Sequence, residues 1–200
     1  MEDIIKRAWA EIDLTALEHN YHEIRARLPE GCRFLGIVKA DAYSHGAVTI
    51  SRELERLGAD YLAVACLDEA IALRDAGIKM PILILGTTPA EYAHTLVKYQ
   101  ITQTVCSFDM ARELSDELAG ETLKVHYKID SGMGRLGFST DDAVGGIVDA
   151  LKLPGLSAEG IFTHFAVSDE YGDPFTMRQF EAFTEAVRNV ESQSGYRFQI

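Results

Sequence analysis

Lys39 ends an apolar run, Leu35-Gly36-Ile37-Val38-Lys39, where burial favours another aliphatic side chain, and Ala40-Asp41-Ala42-Tyr43-Ser44-His45-Gly46 follows it. A desolvated lysine has a lowered pKa, and its neutral amine forms Schiff bases with carbonyl compounds. Lys128 lies near the end of the run Lys124 to Asp130, Arg135 in the loop after it, and His164 at the end of Gly160 to His164. Plain structural alternatives exist: a lysine that snorkels to the rim for Lys39, a salt bridge to Asp130 or another acid for Lys128, a hydrogen-bonded rim histidine for His164. Tyr43 is either a packing aromatic or a phenol placed to reach a phosphate. What joins these residues is position. Active sites of parallel α/β proteins gather at the carboxyl ends of the strands, and convergence of Lys39, Lys128, Arg135 and His164 on one rim is more economical than independent snorkelling.

Gly132-Met133-Gly134-Arg135-Leu136-Gly137 matches the G-x-G-x-x-G pattern of a dinucleotide site. A nicotinamide-dependent oxidoreductase is the function that pattern offers. However, Phe138-Ser139-Thr140 separates the third glycine from the helical stretch opened by Asp141 and Asp142, so the glycines read as a loop. No Ser-His-Asp order, HExxH motif or P-loop occurs. Cys32, Cys66 and Cys106 are odd in number, far apart and without CxxC spacing, so neither a disulfide framework nor a metal site is expected.

The elements that must position these groups are short aliphatic runs alternating with helical patterns. Strands are expected at Phe34 to Lys39, Tyr61 to Ala65, Pro81 to Leu85, Ile101 to Val105, Lys124 to Asp130 and Gly160 to His164, each buried on both faces. Leu14, Leu17, Tyr21, Ile24 and Leu28 form one helical stripe, Ala47, Ile50, Leu54 and Leu57 another, and Phe180, Phe183, Val187 and Val190 a third in the longest helix. Gly58 and Gly77 close helices, and Asp13, Ser107 and Thr140 open them. Six strand-then-helix units without hairpin dipeptides imply a parallel sheet with helical crossovers, of class α/β. An open doubly wound sheet and a (β/α)8 barrel of about 250 residues both fit this pattern. Six units leave such a barrel open, with Phe198-Gln199-Ile200 as the stub of a seventh.

Composition sets the outer limits. The chain has 200 residues, 47% of them hydrophobic, and a net charge of −12 with no Lys/Arg cluster, which argues against a nucleic-acid partner. No apolar stretch approaches the roughly 20 residues that span a bilayer, and Met1 to Arg7 lacks a signal-peptide core, so a cytoplasmic protein is expected.

Taken together, these segments resemble the N-terminal barrel of bacterial alanine racemases, which are pyridoxal-phosphate enzymes. Val38 to Gly46 is similar to the family's cofactor-lysine segment, and Lys128-Ile129-Asp130-Ser131-Gly132-Met133-Gly134-Arg135-Leu136-Gly137 to its most distinctive loop. Ala10 to Leu14, Leu62 to Ala65 with Asp68-Glu69-Ala70, and Gly160 to Ala166 add to the likeness, which runs from about Trp9 to the helix ending near residue 193. The resemblance implies a TIM-type (β/α)8 barrel, here truncated after about six units over residues 14–200. Residues 1–13 would pair with a C-terminal β-domain that is absent. It implies that Lys39 carries pyridoxal 5'-phosphate and acts as catalytic base on the D-amino-acid side, and that Tyr43 contacts the cofactor phosphate. Arg135 would contact the cofactor's phenolic oxygen and the substrate carboxylate, while His164 supports the cofactor ring through an arginine. Lys128 would be carboxylated, turning a cation into an anion that orients Arg135. The implied function is interconversion of L- and D-alanine in a cytoplasmic homodimer, supplying D-alanine for peptidoglycan, with the second base a tyrosine of the partner subunit. A fragment without that tyrosine is expected to be weakly active or inactive. Alternatives are serine as substrate, or a single-domain pyridoxal-phosphate carrier. Ser44 replaces the family's usual glycine, and if that position needs φ > 0 the serine costs on the order of 1 kcal/mol.

Overall fold

The computed structural model describes residues 8–198; Met1 to Arg7, Gln199 and Ile200, named above at the two ends, lie outside that range. Seven strands, β1 (Leu35–Ile37), β2 (Tyr61–Val64), β3 (Ile82–Ile84), β4 (Ile101–Val105), β5 (Leu123–Asp130), β6 (Phe138–Ser139) and β7 (Leu156–Phe162), form one parallel sheet. Six cross the sheet in chain order, β1-β2-β3-β4-β5-β7, and β6 is a two-residue ladder on the end of β5. That order never reverses. Right-handed crossovers that always step the same way put every helix on one face, whereas a doubly wound sheet needs a reversal. Of the two candidate architectures the sheet is therefore the arc of a (β/α) barrel.

The helices are α1 (Leu14–Arg25), α2 (Lys39–Ser44), α3 (Ala47–Leu57), α4 (Leu67–Asp75), α5 (Ala93–Lys98), α6 (Phe108–Glu117), α7 (Thr140–Ala150) and α8 (Phe175–Ser194). Asp13 caps α1 by accepting from the amides of Thr15 and Ala16, and Ser107 caps α6 by accepting from Met110. At α7 the cap is Ser139, one residue before the expected Thr140, because its hydroxyl accepts the Asp142 amide. Gly58 (φ 81°) and Gly77 (φ 87°) turn the chain in the left-handed region after α3 and α4, as their positions predict. None of the described helices is long and apolar enough to cross a membrane.

Strand alternation sorts the apolar residues into two clusters. Leu62, Val64, Ile82, Ile84, Ile101, Val105, Val125 and Tyr127 pack with the helices in the main core, where each fully buried aliphatic side chain contributes roughly 1.5–3 kcal/mol. Tyr61, Ala63 and Leu83, with Leu35, Leu85 and Phe162, form a smaller cluster on the sheet's other face. The largest shifts from the expected boundaries are in the first and last strands: β1 stops at Ile37 rather than Lys39, and β7 runs from Leu156 to Phe162 rather than from Gly160 to His164, while the other strand ends move by at most one residue. In α8 the buried residues are Gln179, Ala186 and Val190 while Phe180 is exposed, so the stripe is rotated from the expected one. Ile24 is exposed, and Leu28 lies beyond the end of α1.

Candidate active site

The carboxyl ends of β1, β3, β5 and β7 and the loops that follow them surround a cavity of about 340 Å³. Lys39, Tyr43, Lys128, Arg135 and His164, five residues singled out from the sequence, all line it. Leu83, Leu85, Ile37 and Phe162 supply apolar walls, and among the described residues no carboxylate lines it. A larger cavity, about 490 Å³, opens at the amino ends of the strands beside Arg74. There the guanidinium already donates to the carbonyls of Ile78, Met80, Tyr99 and Gln100, so it is engaged in holding turns together.

Lys39 lies two residues past β1 rather than at its last position. The Val38 amide still donates to the Ala63 carbonyl at 2.8 Å, extending the ladder with β2 to the residue before the lysine. Lys39 is half-buried, and its Nζ is 5.9 Å from the centroid of the Tyr43 ring. Between the two the backbone does something the sequence did not announce: Ala40, Asp41, Ala42 and Tyr43 have φ of 51–54° and ψ of 44–51°, one turn of left-handed helix. Ser44 continues it at φ 69°, so the serine stands where a left-handed residue is needed. This region costs L-residues roughly 1–2 kcal/mol each.

β5 carries the polar side of the site. Leu123, Val125, Tyr127 and Ile129 belong to the main core, so Lys124, His126, Lys128 and Asp130 face the other way. Lys128 is 4% exposed, and its ammonium donates to the Leu136 carbonyl oxygen. The alternative salt bridge to Asp130 does not form, because that carboxylate is taken up by the glycine loop. It accepts from the amides of Gly132 at 3.0 Å, Gly134 at 3.1 Å and Arg135 at 2.8 Å. Burial pushes the Asp130 carboxyl up, but these backbone donors outweigh it and hold the group below its ordinary value. Gly137 brings the loop back: a Cβ there would sit 2.7 Å from the Asp130 nitrogen and 2.9 Å from the Lys128 oxygen. β6 then separates Gly137 from α7, so the glycines shape a loop around Asp130 and are not the opening turn of a helix.

Charge in the cavity is one-sided. Burial lowers the Lys128 pKa and the nearby Arg135 adds to the shift, opposed by Cys106 and Asp130. The His164 pKa falls through burial and through the positive charges of Arg135, Lys128 and Lys39. His164 itself stands two residues beyond β7, at the rim. The cup thus offers an amine for carbonyl capture, cations for a phosphate or carboxylate, and apolar walls for a flat ring.

His126 is a lining residue that sequence reasoning missed. A bulge in β7 pairs Val125 with Ala158 but His126 with Gly160, leaving Glu159 extra. Gly160 lets the imidazole lie against the strand, since a Cβ there would be 2.8 Å from the ring. Burial, opposed by Glu159, lowers the His126 pKa to about 4. The available clue was the polar–apolar alternation along β5, with His126 two positions before Lys128.

Comparison with known proteins fits this geometry. The profile of the alanine racemase N-terminal domain matches residues 12–200. The alanine racemase of Desulfovibrio desulfuricans is 46% identical over 194 residues, 96% of this chain and 52% of that protein. Alanine racemase 1 of Clostridium acetobutylicum is 43% identical over 182 residues, 90% of this chain and 47% of its own length. Among solved structures, alanine racemase of Clostridium difficile 630 superposes with a TM-score of 0.92 at 40% identity, covering 99% of this chain and 55% of that one. The Bacillus anthracis alanine racemase with bound L-Ala-P gives 0.88 at 33% identity, covering 95% and 50%. The chain spans about half the length of the curated relatives it matches. With a parallel barrel arc, a lysine at the rim of its first strand and a family profile that runs over all but the first 11 residues, the chain belongs to the alanine racemase N-terminal domain family.

Proposed function

We propose that this chain is the cofactor-bearing part of an alanine racemase, with pyridoxal 5'-phosphate attached at Lys39. The observation that carries the reading is that residues 39, 43, 128, 135 and 164, scattered along the sequence, line a single cationic cavity with no carboxylate among its described lining residues. A phosphorylated aldehyde on a planar aromatic ring suits that cavity: positive side chains for the anion, apolar walls for the ring faces and a half-buried primary amine for the carbonyl. The chemistry pyridoxal phosphate supplies when bound is delocalisation of the electron pair left when the α-proton of an amino acid departs.

The residues divide the remaining work. In this reading the Lys39 amine removes and returns the α-proton on one face, and a base outside this chain serves the other. Tyr43 binds the phosphate, Arg135 binds the phenolic oxygen and the substrate carboxylate, and His164 supports the ring through an arginine. Lys128 is well placed for carboxylation because burial favours its neutral, nucleophilic amine. The resulting anion would sit near Arg135 and convert a cation–cation contact into a charge-assisted pair. The same reading makes the full-length protein a cytoplasmic homodimer supplying D-alanine for peptidoglycan.

Purified protein mixed with pyridoxal phosphate is expected to develop a visible absorption band that Lys39→Ala abolishes. The full-length protein is expected to interconvert L- and D-alanine, and failure to do so refutes the reading. Serine turned over in preference to alanine redirects the assignment to a serine racemase. An intact mass raised by one carbon dioxide under mild conditions, and lost in Lys128→Ala, tests the carboxylation.

A further inference from the structure

We infer that Glu69 is the positioning residue for Lys39, acting through the backbone on either side of the strand gap. The inference rests on the reading that Lys39 carries the cofactor. Glu69 lies in the first turn of α4, 29 residues from Ala40 in sequence, and does not line the cavity. One carboxylate oxygen accepts the Ala40 amide at 2.7 Å and the other accepts the Ala65 amide at 2.7 Å.

The geometry explains why a carboxylate is needed there. β1 and β2 are in register with Ile37 opposite Ala63, and the Val38 amide makes the last ladder bond. Beyond it the left-handed turn carries the first chain away, and the two strand ends no longer satisfy each other. Within the turn the first backbone bond runs from the Ala42 amide to the Val38 carbonyl, so the Ala40 amide has no partner inside it. Glu69 supplies acceptors to both orphaned amides at once, one from each carboxylate oxygen. Lys39 is thereby fixed on both flanks, by the ladder bond at Val38 and by Glu69 at Ala40. A lysine that must anchor a cofactor and also carry a proton swings its side chain from a backbone that stays in place.

Glu69→Gln is the test, because glutamine keeps the shape but offers only one acceptor and turns an N–H toward the second amide. In the variant, hydrogen exchange at the Ala40 and Ala65 amides is expected to rise about tenfold or more, since a hydrogen bond to a charged group contributes about 1.5–3 kcal/mol. Exchange at Leu83 and Thr104, in neighbouring strands, is expected to stay unchanged and so reports intact folding. The dissociation constant of pyridoxal phosphate, titrated through the visible band, is expected to rise by about tenfold as well. A wild-type protein that shows the band, together with E69Q amides that exchange at the wild-type rate, refutes the role of Glu69 alone. Faster exchange with an unaltered dissociation constant refutes it too, leaving Glu69 a strap without effect on Lys39. If the wild-type protein shows no band, the cofactor reading fails and the role assigned to Glu69 falls with it.

Discussion

Two loops of the site, one following Lys39 and one carrying Arg135, bend by opposite means. The loop from Gly132 to Gly137 places its positive φ values on glycines, at 136°, 71° and 133°, and wraps its amides around the Asp130 carboxylate. The segment from Ala40 to Ser44 takes five consecutive positive φ values with no glycine. The first loop is relaxed by composition and held by a charge at its centre. The second is strained by composition and held from outside by Glu69 at Ala40, and from within by Asp41, whose carboxylate accepts the Ala47 amide at 2.7 Å to start α3. Strain tolerated beside Lys39, the residue proposed to carry the cofactor, fits a backbone that places this side chain at the expense of its own stability.

The difference is sharpest at Gly137. Alanine there has to fit a Cβ 2.7–2.9 Å from the backbone of Lys128, Ile129 and Asp130 at a φ of 133°. Flexible side chains cannot move aside, because the obstacles are main-chain atoms. Gly137→Ala is expected to destabilise the protein on the order of 3 kcal/mol, read as a lower urea midpoint, and to displace Arg135 from the cavity. A variant as stable as wild type would show that the loop is not built on close approach.

Asp130 is the next point of attack. Its folded-state pKa lies below the ordinary 3.8, so it contributes stability that is fully present above that value and is lost as pH falls through the lowered one. Asp130→Asn is therefore expected to flatten the acid limb of the stability profile below about pH 4. At neutral pH the variant loses about 1–2 kcal/mol, a modest figure because the group is partly solvated. An unchanged acid limb would remove Asp130 from the centre of the loop.

The same contrast separates what sequence could reveal from what it could not. Glycines and an aspartate at fixed spacing after a strand announce their loop, and six aliphatic runs announce six strands of the parallel sheet. Lys39, Tyr43, Lys128, Arg135 and His164 were legible because strand ends and family-like motifs mark them, and the cavity contains all five. Ala40-Asp41-Ala42-Tyr43 gave little sign of its handedness, since alanine and tyrosine have no left-handed preference and only Asp41, of a type that tolerates the region, and Ser44 hinted at one. The role of Glu69 left no mark in the sequence, because both of its hydrogen-bond partners lie outside α4, one of them across 29 residues of sequence. His126 was hidden because β5 is buried on both faces from Val125 to Ile129, as expected, and only its polar–apolar alternation separates a core side from a site side. β6 has two residues, too few for any periodicity.

The mildest test exchanges the two strategies at matched positions. A Cβ added at Gly134 (φ 71°) would meet nothing within 4 Å, and Ser44 (φ 69°) is exposed, so neither substitution is complicated by a clash or a lost core contact. Gly134→Ala adds the left-handed strain and is expected to lower stability by about 1 kcal/mol. Ser44→Gly removes that strain but lets the unfolded chain gain glycine's extra freedom, which offsets roughly half of it, so a net gain of about 0.5 kcal/mol is expected. Both changes are read from urea midpoints at constant slope. Opposite signs at two sites with the same φ mean that handedness alone sets the difference between the loops. If Ser44→Gly is destabilising, the serine makes a compensating interaction that offsets its strain, and the segment is held at Ser44 as well as by Glu69 and Asp41.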